Sequence, residues 1–113
     1  MQIADARVDG VVAVAPAGRI DTTTAPVLEQ HVMALLAGVD RRIVVDFSGV
    51  DYISSAGLRV MLLLARRVQD VGGRLALCAM GEAVRQVFQL AGFLPLFTVC
   101  DSREAAVRQI AGL

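Results

Sequence analysis

The sequence has few of the side chains on which nucleic-acid binding depends. Its 113 residues include no tryptophan, one tyrosine and four phenylalanines, so aromatic residues make up only 4%. Eleven basic residues balance eleven acidic ones, and the formal net charge is +0. Without a basic cluster or aromatic stacking groups, the chain lacks the features that attract and hold nucleic acids. We therefore expect no direct nucleic-acid partner.

Long hydrophobic runs are also absent, although 56% of the residues are hydrophobic. No purely apolar run exceeds six residues, and the run over residues 60–65 has an arginine at each end. A helix needs about 20 consecutive apolar residues to cross a bilayer, so we expect no membrane span. The first residues also lack the basic and apolar regions of a secretory signal, and we expect a cytoplasmic protein.

Cysteine is too scarce to build a disulfide framework or a metal site. The two cysteines, Cys78 and Cys100, have no metal-ligand spacing. Both fall in or at the end of predicted strands, where cysteine usually acts as a small buried apolar side chain. The Gly72-Gly73 pair is not followed by the Lys-Ser/Thr of a phosphate-binding loop. We therefore expect neither a metal nor a cofactor.

Histidine, the commonest general base, occurs once. His31 falls in the middle of a predicted helix, where a surface or half-buried position is the ordinary interpretation. A catalytic triad could be assembled from His31, Ser55 and an aspartate at position 21 or 51, but no Gly-x-Ser-x-Gly motif accompanies it. The sequence therefore predicts a protein that is not an enzyme.

The order of elements predicts one α/β domain over residues 1–113. Asp9-Gly10 lies between two extended runs, residues 2–8 and 11–15, and this predicts an antiparallel hairpin at the start. Strands then alternate with helices, which requires parallel, right-handed crossovers and so a mixed, mostly parallel sheet. The predicted order is ββαβαβαβα, with a strand ending at Gly18, an irregular segment over 48–54, a last strand over 96–99 and a last helix capped by Asp101.

The segment between the central strand and the second helix stands out. Ser54 or Ser55 can cap this helix, but Gly57 follows within the first turn, where glycine costs up to about 1 kcal/mol relative to alanine. Small side chains at Ala56 and Gly57 let another backbone or side chain approach closely. In open α/β sheets, binding sites lie in loops after the carboxyl ends of strands. This segment is therefore the candidate site, with capping alone as the alternative interpretation.

Three blocks of the sequence carry a family resemblance. Residues 18–25 place Gly-x-Ile-Asp ahead of the first helix, and residues 44–58 join a strand through Ser-Ser-Ala-Gly-Leu to the second helix. The third block comprises residues 72–77, 84–92 and 96–97. Together they resemble the STAS domain, and specifically the bacterial anti-sigma factor antagonists. The middle block is the most specific, and the resemblance covers nearly the whole chain.

The resemblance implies a partner switch. In the family, the unphosphorylated antagonist binds an anti-sigma factor that is also a serine kinase, and this frees a sigma factor. Phosphorylation of the antagonist breaks the complex, and a PP2C-type phosphatase restores it. Aligned on Gly57-Leu58, the phosphorylated serine is Ser55, with Ser54 as the runner-up. Around it we expect partner-binding residues, namely Asp21, Thr22, Thr23, Asp51, Ser54, Ala56, Gly57 and Arg59.

Two other functions stay open from the sequence. One is a constitutive STAS subunit of a lipid-transport or stressosome-like complex, which is bound stoichiometrically and is not switched by phosphorylation. The other is a small enzyme or nucleotide-binding domain, and the absence of a phosphate loop makes it the weakest alternative. Neighbouring kinase and phosphatase genes would favour the switch, whereas neighbouring transporter genes would favour the constitutive subunit.

Overall fold

The apolar strands and amphipathic helices assemble around one mixed sheet. The computed structural model describes residues 1–111. Within that range the strands are β1 (Gln2–Val8), β2 (Val11–Ile20), β3 (Arg42–Asp46), β4 (Val50–Ile53), β5 (Arg74–Cys78) and β6 (Val99–Cys100). The helices are α1 (Ala25–Ala37), α2 (Ser55–Asp70), α3 (Glu82–Leu90) and α4 (Arg103–Ile110).

The sheet has the order β1-β2-β3-β5-β6, and β4 pairs with the carboxyl-terminal part of β2. β1 and β2 are antiparallel, and the other strand pairs are parallel. Asp9 and Gly10 between β1 and β2 both have positive φ, as a type I′ hairpin turn requires. The predicted α/β class, initial hairpin and element order are therefore confirmed, with the short strand β4 as an addition.

The helices cover the two faces of the sheet unequally. α1, α2 and α3 bury side chains such as Leu28, Met61 and Phe88 against one face. α4 packs against the opposite face, where Val107 joins a cluster that contains Cys78. Full burial of one such large apolar side chain contributes about 1.5–3 kcal/mol. Because β2 to β6 pair in parallel, their carboxyl ends all point to the same edge of the sheet.

The structure corrects two expectations near the site. Gly18 does not end its strand: β2 continues to Ile20, with Gly18 at φ +97° and a register shift between Gly18 and Arg19. A bulge at a glycine bends a strand without terminating it. The segment 48–54 is not wholly irregular either, because Val50–Ile53 forms β4 with both end residues buried.

Two further corrections concern the end of the chain. The predicted strand over residues 96–99 is shorter and lies later: a 3-10 turn occupies Leu94–Leu96, and β6 contains only Val99 and Cys100. Proline has a fixed φ and no N–H, so Pro95 suits the turn and not a strand. α4 is capped by Ser102, whose Oγ accepts from the Ala105 N–H at 3.1 Å, and not by Asp101. Among residues 1–111, no helix is long and apolar enough to cross a membrane.

Candidate functional site

Two segments of the chain meet at the carboxyl ends of β2 and β4. Ile20 and Ile53 are direct partners in this parallel pair, and both are buried. The Ser54 N–H donates to the Ile20 carbonyl oxygen at 2.8 Å. Because Asp21 follows Ile20 and Ser55 follows Ser54, this bond holds the loop before α1 beside the first turn of α2. The pairing of β4 with β2 therefore brings two of the predicted site segments together.

Asp21 organises the loop between β2 and α1. Its Oδ1 accepts from the N–H groups of Thr23 at 3.0 Å and Thr24 at 3.1 Å. The Thr24 hydroxyl accepts from the Asp21 N–H at 2.9 Å and donates to the Arg19 carbonyl at 2.6 Å. The hydrogen bond from the Thr24 N–H is the main cause that holds the pKa of Asp21 below its ordinary value. Asp21 is thus a fixed anion, with Thr22 and Thr23 exposed beside it.

The two serines at the start of α2 occupy different environments. Ser54 is the N-cap residue, and its Oγ accepts from the Gly57 N–H at 3.2 Å. Ser54 is half-buried, whereas Ser55 is the first residue of the helix and is exposed. Ser54 therefore caps the helix. The Ser55 side chain is the one that faces solvent.

Gly57 is required by close packing within the fold. A Cβ atom placed on Gly57 would lie 2.7 Å from Cγ1 of Ile53, 2.8 Å from Cγ2 of Ile20 and 3.1 Å from the Ile20 carbonyl oxygen. The glycine is buried, and Ala56 beside it is half-buried. The close approach expected from the sequence is thus made by the chain's own strands. Any effect of Gly57 on a partner would act through the position of the serines.

Asp51 and Arg59 lie on either side of the serines along the chain, and both are exposed. Asp51 is on β4, and Arg59 is on α2 one turn after Ser55, so it shares the helix face of Ser55. Within residues 1–111, neither side chain forms an ion pair. Both charged side chains are therefore available for contacts at the protein surface.

Arg19 and Tyr52 form a surface pair that has no signal in the sequence. The guanidinium carbon of Arg19 lies 4.0 Å from the centroid of the Tyr52 ring, a cation–π contact. Arg19 Nε also lies 3.9 Å from Asp21 Oδ2. Tyr52 is 39% exposed, so the pair extends the accessible surface of the site. The two residues meet because they are partners in the β2–β4 pairing.

The catalytic triad considered from the sequence is not assembled. Nε2 of His31 lies 2.8 Å from Oδ1 of Asp5 in β1, and the hydrogen bonds of the described residues do not connect His31 with Ser55. Among residues 1–111, no group of three or more histidines, cysteines or carboxylates could hold a metal ion. The site presents the exposed hydroxyl of Ser55, with the hydrogen-bonded carboxylate of Asp21 in the neighbouring loop.

The sequence profile of the STAS domain matches residues 2–106, which include both segments of the site. The chain belongs to the STAS domain family. This STAS domain is 42% identical over 106 residues to the provisionally named anti-sigma factor antagonist BtrV of Bordetella bronchiseptica. That alignment covers 94% of this chain and 91% of BtrV.

Two mycobacterial proteins are also similar to this STAS domain. The anti-sigma-F factor antagonist RsfB of Mycobacterium tuberculosis is 26% identical over 105 residues, which are 92% of this chain and 84% of that protein. The crystal structure of an anti-sigma factor antagonist from Mycobacterium paratuberculosis superposes with a TM-score of 0.87 at 28% identity. The superposition covers 96% of this chain and 92% of that one.

Proposed function

We propose that this STAS domain is an anti-sigma factor antagonist whose partner binding is switched off by phosphorylation of Ser55. Unphosphorylated, it binds an anti-sigma factor serine kinase in the cytoplasm and so frees a sigma factor. The kinase phosphorylates Ser55, and a PP2C-type phosphatase removes the phosphate. The domain acts by binding and not by catalysis. The similarity to named antagonists supports the class of function, and the exposed Ser55 hydroxyl supports the switch.

Ser54 and Ser55 differ in hydrogen bonding and in exposure, and this difference favours Ser55 as the residue that accepts the phosphate. The Ser54 hydroxyl accepts from the Gly57 N–H and is half-buried. A phosphate there would remove the cap and place charge against the packed start of α2. Ser55 is exposed at the first helical position and makes no side-chain hydrogen bond within the described residues. A kinase can therefore reach Ser55 without disturbing the cap.

The position of Ser55 makes a phosphate compatible with the fold. The first N–H groups of a helix have no intrahelical acceptor, and the helix dipole favours an anion there by roughly 0.3–1 kcal/mol at exposed sites. Arg59 lies one turn further along the same face and forms no ion pair among residues 1–111, so its charge is available to a phosphate on Ser55. A phosphate on Ser55 should consequently leave the stability of the domain nearly unchanged.

The same phosphate should weaken the complex. It adds about two negative charges at a surface that also contains Asp21 and Asp51. A partner that contacts Ala56 and the exposed threonines must pack where the new group stands. A loss of about 3 kcal/mol of binding free energy lowers affinity more than a hundredfold. The switch thus operates at the interface and not by unfolding the domain.

The test combines binding measurements with phosphosite mapping, using the anti-sigma factor kinase that co-purifies from the native cell extract. After incubation with ATP, trypsin releases residues 43–59, which contain Ser48, Ser54 and Ser55, and fragmentation assigns the phosphate. Ser55→Ala should bind the kinase but remain unmodified. Ser54→Ala and the matched control Ser48→Ala should still be phosphorylated. Ser55→Asp should bind more than a hundredfold more weakly.

Two outcomes would contradict parts of this proposal. Phosphate on Ser55→Ala but not on Ser54→Ala would make Ser54 the acceptor. A stable complex in which no serine is ever modified would favour the constitutive subunit of a lipid-transport or stressosome-like assembly. In that case the domain would bind its partner without a switch.

A further inference from the structure

The two cysteines of the chain lie opposite each other in the sheet. Cys78 ends β5 and Cys100 ends β6, and the two residues are direct partners in this parallel strand pair. Both thiols are free. Direct partners on neighbouring strands point their side chains to the same face of a sheet. A chain with only two cysteines therefore brings both of them to one place.

Packing and strand spacing make this pair competent to form a disulfide. Cys100 packs against the buried cluster under α4 that contains Cys78. Neighbouring strands lie about 4.7–4.9 Å apart, which is within the range of roughly 4.4–6.8 Å that disulfides span between Cα atoms. β6 has two residues and forms an edge of the sheet. It can therefore shift slightly to bring the two sulfur atoms into bonding distance.

The two thiols differ in accessibility, and this sets the order of reaction. Burial raises the pKa of the Cys78 thiol to about 12, and its side chain is fully buried. Cys78 is thus protonated and shielded at neutral pH. Cys100 is half-buried, so an oxidant in solution reaches Cys100 first.

We propose that Cys78 and Cys100 are a redox-sensitive pair that a low-molecular-weight disulfide, such as oxidised glutathione, converts to an intramolecular disulfide. The Cys100 thiolate attacks one sulfur of oxidised glutathione, and a mixed disulfide forms as one glutathione thiolate leaves. Cys78 loses its proton to solvent and attacks the Cys100 sulfur, which releases the second glutathione. Two protein thiols lose two electrons and two protons, and oxidised glutathione becomes two molecules of glutathione. The attack by buried Cys78 is the slow step.

The disulfide would link β6, the strand before α4, covalently to the rest of the sheet. It would join β5 to β6 and close a loop that contains α3. A disulfide that closes the loop between Cys78 and Cys100 restricts the unfolded chain and so stabilises the folded state. We expect the melting temperature to rise by at least about 5 °C after oxidation. Dithiothreitol should reverse this rise.

The experiment uses the full reduced chain in native buffer. It is incubated with oxidised glutathione, quenched with iodoacetamide and digested with trypsin without reduction. Cleavage after Arg74, Arg85 and Arg103 places Cys78 in residues 75–85 and Cys100 in residues 86–103. The expected product is these two peptides joined by a disulfide, from monomeric protein. Denatured oxidised protein should contain no free thiol.

Single-cysteine variants provide matched controls. Cys78→Ala should stop at a glutathione adduct on Cys100, and Cys100→Ala should leave Cys78 unmodified until the protein is unfolded. The wild-type result decides the proposal even if a variant folds poorly. A stable glutathione adduct on wild-type Cys100 without linked peptides would overturn it. So would linked peptides that arise only in denaturant or only between two chains.

Discussion

The N–H of Ser54 donates to the carbonyl oxygen of Ile20 across 2.8 Å and joins the two segments of the candidate site. Both groups belong to the backbone, so this contact depends on the pairing of β2 with β4 and not on either side chain. It sets the position of Ser55 relative to Asp21. Substitutions that displace the start of α2 should therefore alter both segments together.

Gly57→Ala should destabilise the domain, because the added methyl group overlaps Ile53, Ile20 and the Ile20 carbonyl. Overpacking of this kind costs about 1–3 kcal/mol, which exceeds the gain of up to about 1 kcal/mol from better helix propensity. Urea denaturation measures the change in the free energy of unfolding. The control is Gly81→Ser, because a Cβ at Gly81 meets no atom within 4 Å and serine is a preferred residue at this N-cap position. Equal stability of the two variants would contradict the packing role of Gly57.

Ser54→Ala should destabilise the domain by about 1 kcal/mol, the usual cost of losing an N-cap side chain. The reason is that the Ser54 Oγ accepts from the Gly57 N–H. Ser55→Ala should change the free energy of unfolding by less than about 0.5 kcal/mol, because Ser55 is exposed. Ser54→Thr retains the hydroxyl and should restore most of the loss. A larger cost for Ser55→Ala than for Ser54→Ala would mean that the roles of the two serines are reversed.

The features that could be predicted from the sequence have local signals. Asp9-Gly10 predicts its hairpin because few other pairs adopt positive φ at both positions. The spacing of Leu28, Val32 and Leu36 predicts the buried face of α1. A helix that begins beside Ser54 or Ser55 follows from the capping preference of serine, and the structure places the cap at Ser54. These signals place the candidate serines at a helix start without any knowledge of the strand order.

The pairing of β4 with β2 could not be predicted because it has no local signal. Along Val50–Ile53 the two end residues are buried and the two central residues are exposed. Burial at positions i and i+3 departs from the period of 2 of a strand and fits one turn of a helix instead. The contact between Arg19 and Tyr52 depends on this non-local pairing. Neither this contact nor the pairing of Cys78 with Cys100 could therefore be predicted from the sequence.

Asp21→Asn should fold with nearly wild-type stability and bind the partner kinase more weakly. Asparagine retains the Oδ1 acceptor for the N–H groups of Thr23 and Thr24, but it removes the charge. Asp21→Ala loses the acceptor as well and should lower the melting temperature by several degrees. Thermal melts and calorimetric binding separate the two effects. If Asp21→Asn is as unstable as Asp21→Ala and binds normally per folded molecule, Asp21 has only a structural role.

The buried carboxylate of Asp46 should make stability depend on pH in the acid range. Asp46 is 5% exposed and accepts from the Ser48 N–H at 2.9 Å and from Arg103 Nε at 2.8 Å. Burial alone would raise the pKa of Asp46, but these hydrogen bonds outweigh it and hold the pKa below the ordinary value of 3.8. The folded state therefore prefers the ionised form. This contribution to stability is complete above the unfolded pKa and is lost as the pH falls through the lower folded value.

Arg103→Ala removes a charged partner of Asp46 and should cost about 1.5–3 kcal/mol at neutral pH. Arg108→Ala is the matched control, because Arg108 is exposed on the same helix, and it should cost less than about 0.5 kcal/mol. Urea denaturation between pH 7 and pH 2 tests the linkage. The difference between the wild type and Arg103→Ala should be constant near neutrality and shrink as the pH falls through the lowered folded pKa of Asp46, where the carboxylate becomes protonated. A difference that stays unchanged down to pH 2 would show that Arg103 contributes through packing and not through its bond to the carboxylate.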